Sequence, residues 1–185
     1  TNNSLDLAVS GVGMFITADP DDGSISYTRD GSFLIDREGV LRTTDKRLVL
    51  DENGERIIIP PQRVDEDGAL ALLDSIKINN RGRIQLAYGD GSIVEVGNVG
   101  LARFGNIAGL RPSGSAQFVV TEESGPPIVG VPMADGYGQV IQGHLESSNA
   151  TIADELVKLM SARRAYAGSS RLLESAVEMS KRLTS

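Results

Sequence analysis

The sequence predicts a mainly β protein: a hairpin-rich β domain over residues 1–145, followed by one long C-terminal α-helix within residues 146–185. Three observations lead there. Up to residue 145, short apolar runs alternate with clusters of Gly, Asp and Asn, the punctuation of strands and tight turns. Gly is abundant, at 21 of 185 residues. From Asn149 to Ser185 the punctuation stops, no proline occurs, and apolar residues recur with a helical period.

The first strands read in order. Leu5-Asp6-Leu7-Ala8-Val9 ends at Ser10-Gly11-Val12-Gly13, and Met14-Phe15-Ile16 resumes. Asp19-Pro20-Asp21-Asp22-Gly23 is a turn. Ser26-Tyr27-Thr28-Arg29 leads into Asp30-Gly31, a tight-turn signal, and Ser32-Phe33-Leu34-Ile35 follows. Asp36-Arg37-Glu38-Gly39 separates that run from Val40-Leu41-Arg42, and Asp51-Glu52-Asn53-Gly54 lies between Arg47–Leu50 and Arg56–Ile59. The spacing, about eight to twelve residues, predicts consecutive hairpins. A second series comprises Ser75–Ile78, Arg83–Tyr88, Ser92–Val96, Val99–Phe104 and Gln117–Val120. Ala69-Leu70-Ala71-Leu72-Leu73 fits a helical turn or a strand, and Gly125-Pro126-Pro127 marks a surface loop.

The terminal segment carries the strongest pattern. Ile152, Leu159, Tyr166 and Leu173 recur every seven residues, with Leu156 and Val177 on the flanking row. A second stripe holds Ala162, Ala165, Leu172, Ala176, Met179 and Leu183. A helix of this length extends roughly 54 Å, longer than a domain of this size is wide. Two apolar stripes require neighbours on more than one side, and the rest of the sequence offers no second helix. The segment is therefore expected to assemble with other subunits. Ser148 or Asn149 suits an N-cap, Asp154 and Glu155 the first turns, and Lys181 and Arg182 the last.

Composition narrows the function classes. With no Cys, disulfides, thiolate nucleophiles and Cys-ligated metals are excluded, and His144 is the single His. The formal net charge is −7, with residues 149–185 slightly basic and the remainder acidic. An acidic body argues against binding a phosphate backbone. No apolar run reaches the ~20 residues of a membrane span, so neither nucleic acid nor membrane insertion is expected. Asp30, Asp36, Asp51 and Asp90 precede glycines and read as turn residues rather than catalytic acids. Asp19, Asp21 and Asp22 do not keep the register of a calcium loop, since Ser24 occupies its glycine position. Gly11 and Gly13 precede a strand-like run rather than a helix, the wrong context for a dinucleotide fingerprint. No catalytic residue, metal or cofactor is expected. Two other classes fit the sequence, a carboxylate-based polysaccharide hydrolase and a closed trimeric fibre module.

The motifs also carry a resemblance. Leu5–Phe15, Tyr27-Thr28-Arg29-Asp30-Gly31-Ser32-Phe33 with Asp36, Gly39 and Leu41 behind it, Val99–Phe104 through Gly109-Leu110, Gly143-His144-Leu145-Glu146-Ser147-Ser148-Asn149, Glu155-Leu156-Val157 and Arg164-Ala165-Tyr166 occur in an order that resembles the axial proteins of the bacterial flagellum, the rod and hook subunits. Met14, Arg163 and Gly168 depart from the family pattern. Ile57-Ile58-Ile59-Pro60 and the Gly143–Asn149 junction look closer to rod members than to hook members. The resemblance implies a structural subunit that polymerises with copies of itself and other rod and hook proteins, reaches its place through the export apparatus, and resides in the flagellar basal body. It also implies an N-terminal helix, absent from this sequence, that would pair with the C-terminal one inside a tube.

Overall fold

A computed structural model describes residues 3–64, 68–134 and 136–146. The expected helix, with its stripe of Ile152, Leu156, Leu159, Tyr166, Leu173 and Val177, lies outside the described residues. Among the described residues fifteen strands follow one another: β1 (Leu7–Ser10), β2 (Met14–Ala18), β3 (Ile25–Thr28), β4 (Phe33–Ile35), β5 (Leu41–Thr43), β6 (Leu48–Val49), β7 (Gln62–Val64), β8 (Leu70–Ile78), β9 (Arg83–Tyr88), β10 (Ile93–Asn98), β11 (Leu101–Arg103), β12 (Arg111–Pro112), β13 (Gln117–Val119), β14 (Ile128–Gly130) and β15 (Gln139–Gln142). A 3-10 turn, Ile107–Gly109, separates β11 from β12.

The mainly β expectation holds, and all strand pairs are antiparallel. The largest sheet runs β12-β13-β3-β2-β6-β5-β4, with β11 bridging β2 and β14. A second sheet runs β10-β9-β8-β7, and β1 pairs with β15. β2 is the hub, bonding to β3, β6 and β11 and buried along its whole length. Its alternating side chains serve two cores. Phe15 enters the larger one, with Leu7, Phe33, Leu41, Ile59, Ile84, Leu86 and Val140 among its members. Met14, Ile16 and Ala18 face the smaller one, with Tyr27, Leu50, Ala102 and Phe104. Burial on both faces explains why Met14-Phe15-Ile16 shows no polar alternation.

One open reading is resolved and one expectation changes. Of the two forms open to Ala69–Leu73, Leu70 to Leu73 take the strand, with Ala71 buried between exposed Leu70 and Leu72, the period of a sheet. The chain is also less a series of consecutive hairpins than the spacing predicted. Strands β3 and β4 flank the Asp30-Gly31 turn without pairing: β3 joins β2 and β13, and β4 joins β5. The turn is drawn instead toward β1, where the Leu7 amide donates to the Gly31 carbonyl at 3.0 Å and Asp6 bridges to Ser32. Arg56–Ile59 makes only isolated bridges, Leu50 to Arg56 and Val40 to Ile58.

Candidate assembly junction

The aspartates expected at turns all hold backbone amides. Asp30 accepts from the Ser32 amide and hydroxyl, Asp36 from the amides of Glu38 and Val40, Asp51 from those of Asn53 and Glu55, and Asp90 from the Ser92 amide and hydroxyl. Asp36 also pairs with Arg42. The Val40 amide first, then the Arg42 guanidinium, lowers its pKa below the ordinary aspartate value. Asp90 is lowered chiefly by the Ser92 hydroxyl, and Asp22 by the Ser24 amide. Asp19 caps the Asp21 amide and pairs with Arg47 at 2.9 Å. Each of these carboxylates is committed to a turn or an ion pair. A polar hollow lined by Ser24, Ser26, Asp45, Arg47, Ser115 and Gln117 contains one carboxylate, Asp45, which accepts from the Thr43 hydroxyl. A two-acid hydrolytic mechanism needs a facing pair, which that hollow does not supply.

The motif from Tyr27 to Phe33 connects separate parts of the domain. Tyr27 packs edge-on against Phe104, with ring centroids 4.8 Å apart. The Thr28 hydroxyl donates to the Ala116 carbonyl and accepts from the Asp30 amide. Phe33, fully buried, meets Phe15 edge-on at 5.0 Å. Gly31 lies against the Leu7 carbonyl, where a Cβ would overlap it. Arg29 reaches farthest. Its Nε donates to Glu146 Oε2 at 2.7 Å, and its Nη2 donates to the carbonyls of Gly11 at 2.8 Å and Val9 at 3.2 Å. The structure thus joins Arg29 of one sequence motif to Glu146 of another, while Ser148 and Asn149 lie outside the described residues.

Around this junction the two ends of the described chain run side by side. Leu7 lies opposite Gln142 and Ser10 opposite Gln139. The Gly143 amide donates to the Asp6 carbonyl at 2.7 Å. Gln142, which the sequence reading did not single out, is the principal connector. Its Nε2 donates to the carbonyls of Ser4 and Ile76, and its Oε1 accepts the Ile78 amide, so one side chain joins β15 to the amino end and to β8. A glutamine among apolar neighbours in a four-residue strand was the available signal. His144 Nδ1 lies 3.0 Å from the Gln142 carbonyl. Gly11 keeps φ +111°, and a Cβ there would meet the Gly138 backbone.

Comparison with known proteins bears on this arrangement. Residues 8–86 match the pattern of the flagellar hook protein FlgE/F/G D1 domain, and residues 141–185 that of the flagellar basal body rod FlgEFG protein C-terminal region. The chain belongs to the flagellar rod and hook protein family. Among relatives in that family, it is 33% identical over 184 residues to the flagellar basal-body rod protein FlgG of Buchnera aphidicola subsp. Schizaphis graminum (strain Sg), covering all of this chain and 65% of that protein. It is 36% identical over 180 residues to FlgG of Agrobacterium fabrum, covering 97% of this chain and 63% of that protein. The chain therefore spans a little under two thirds of the length of these rod relatives. Among solved structures, the Helicobacter pylori flagellar hook protein FlgE2 aligns with a TM-score of 0.36 at 18% identity, over 70% of this chain and 32% of that one. The rod and hook family patterns cover both halves of the junction, Arg29 in the first and Glu146 in the second.

Proposed function

We propose that the chain is a structural subunit of the flagellar basal-body rod, in its distal part, polymerising into a helical tube that transmits torque and encloses the export channel. The observation that carries this reading is the similarity, along essentially the whole chain, to proteins named as basal-body rod proteins. The geometry supports it. With β1 and β15 paired, a segment preceding Leu7 and the segment following Glu146 start from one place on the β domain. That is the arrangement two terminal helices need in order to pack together. The stripe of Ile152, Leu156, Leu159, Tyr166, Leu173 and Val177 is our assignment for the inner-tube contacts, with residues 146–185 acting as the assembly helix.

The β domain would pack laterally against its neighbours through open, heterologous contacts that extend a filament rather than close a ring. Val64, Leu70, Leu72 and Ile93, the four most exposed large apolar side chains among the described residues, lie on the β7-β8-β9-β10 sheet and suit such a contact. The partners are copies of this chain and other rod and hook proteins, with the export apparatus engaged during secretion, and the role is mechanical rather than enzymatic. Hook protein is the second reading, favoured by the match of residues 8–86 to a domain shared by hook and rod proteins.

Electron microscopy of the full-length protein polymerised in vitro tests the proposal. Straight tubes support the rod, and curved tubes the hook. A closed trimer by mass measurement overturns both. Leu159→Asp with Leu173→Asp is expected to abolish tubes and leave the β domain folded. Tubes from that variant would overturn the role given to the stripe.

A further inference from the structure

Beyond Gly143, the Arg29–Glu146 pair is the last tie between the chain and the β domain that the described residues carry. Residues 144–146 belong to no strand or helix, so no ladder or helical hydrogen bonding fixes their course. The guanidinium, by contrast, is fixed before Glu146 reaches it. Arg29 follows directly on β3, and its Nη2 is held by two carbonyls, Gly11 and Val9. Val9 is itself locked opposite Val140 in the β1–β15 pair, and Gly11 is pressed against Gly138. A planar guanidinium held through Nη2 has its other donors oriented in advance, and of these Nε is the one that meets Glu146. A lysine ammonium has no such fork.

We infer that Arg29 is a positioning residue that holds Glu146 against the β domain and so fixes the point at which the backbone leaves it, making this ion pair a salt-sensitive clamp at that point. The inference rests on reading the segment after Glu146 as the assembly element. Its physical logic is particular to the site. The pair is partly exposed, at 34% and 42% for the two side chains, so as a contribution to stability it is small and screened by salt. A contact with little effect on stability can still select one exit path among several of similar energy, because among the described residues beyond Gly143 the ties are this pair and the His144–Gln142 contact. Loss of the clamp therefore leaves the fold intact and loosens the junction. A residue serving the fold alone would lower both together.

The test compares full-length wild type with Arg29→Gln, Arg29→Lys and Glu146→Asp. Each is assayed for its urea midpoint, for cleavage after residue 146 by a protease that cuts at acidic residues, and for tube formation by electron microscopy. Arg29→Gln is expected to keep the wild-type midpoint, to be cut at residue 146 about two- to fivefold faster at low salt, and to lose that difference at high salt. Its tubes are expected to be fewer and irregular. Arg29→Lys falls between the two, because it restores the charge but not the fork, and Glu146→Asp, whose cut site is itself altered, is judged by tube formation, where it behaves like Arg29→Gln. Equal cleavage of wild type and Arg29→Gln at low salt overturns the clamp, as does a fall in midpoint that accounts for the faster cleavage. If wild type itself forms no tubes, the assembly reading fails, while the cleavage comparison still decides whether Arg29 holds the junction.

Discussion

Gly31 and Leu7 exchange a short backbone contact across two strand ends. The Leu7 amide donates to the Gly31 carbonyl at 3.0 Å, and the Leu7 carbonyl fills the space where a side chain on residue 31 would begin. The contact seats the Asp30-Gly31 turn against β1 and so brings Arg29 within reach of Val9 and Gly11.

Gly31→Ala should therefore destabilise the β domain by about 1–3 kcal/mol, because backbone and not a flexible side chain must yield. Gly23→Ala is the control, since a Cβ at Gly23 meets nothing within 4 Å and carries only the cost of φ +72°, about 1–2 kcal/mol. Urea denaturation of both variants measures the difference. Only Gly31→Ala should also speed cleavage after Glu146, because it displaces the turn that presents Arg29.

Thr17, Ser26 and Gln117 form a buried polar triad that joins β2, β3 and β13. Thr17 Oγ1 lies 2.8 Å from Ser26 Oγ, and both hydroxyls lie within 3.0 Å of Gln117 Oε1. Thr17→Val keeps the shape and removes one hydroxyl from a fully buried site. The expected loss is about 1–3 kcal/mol, since Ser26 and Gln117 each lose a hydrogen bond at a buried position. Thr17→Ser should lose less. A melt of Thr17→Val coincident with wild type would remove the triad from the account of stability.

Acid should weaken the domain through its turn aspartates. Asp22, Asp36 and Asp90 have folded pKa values below those of an unfolded chain, each held down by hydrogen bonds to its anionic form. Their contribution is then present above the unfolded aspartate pKa of about 4 and is lost as pH falls through the lower folded values. Urea midpoints should be flat from pH 7 to about 5 and drop below about 4. Asp36→Asn should flatten that drop, because the Val40 amide and Arg42 no longer favour a charge. An Asp36→Asn profile parallel to wild type would contradict the assignment.

The exposed apolar residues on the second sheet should matter to assembly and not to folding. Leu70→Ser with Leu72→Ser, exposed by 67% and 65%, is expected to shift β-domain stability by no more than about 0.5 kcal/mol. Tube formation should fall measurably at the same subunit concentration. Normal tubes would move the lateral contact to another face.

Local chemistry was the legible part of this fold. Asp30, Asp36, Asp51 and Asp90 announce their turns because an aspartate oxygen reaches amides two to four residues ahead, a range that sequence displays directly. Partnerships between distant segments were not legible. Nothing in Leu7–Ser10 names Gln139–Gln142 as its neighbour, and β14 hides behind Gly125-Pro126-Pro127, which reads as loop. β15 contains only two apolar residues, too few to show an alternation, and its key side chain is a glutamine. At the junction, Arg29 and Glu146 were each picked out within their own motifs. Their pairing across 117 positions depends on tertiary placement that neither motif contains.

The pairing of β1 with β15 also dictates a timetable. If this chain is delivered amino end first, its opening strand has no complement until nearly all of the β domain has arrived, and β3 likewise waits for β13. Contacts of such long sequence separation form slowly. Until residue 142 arrives, a partly delivered molecule lacks both the β1–β15 pair and the ties of Gln142 to Ser4, Ile76 and Ile78, so its seam stays open to the last.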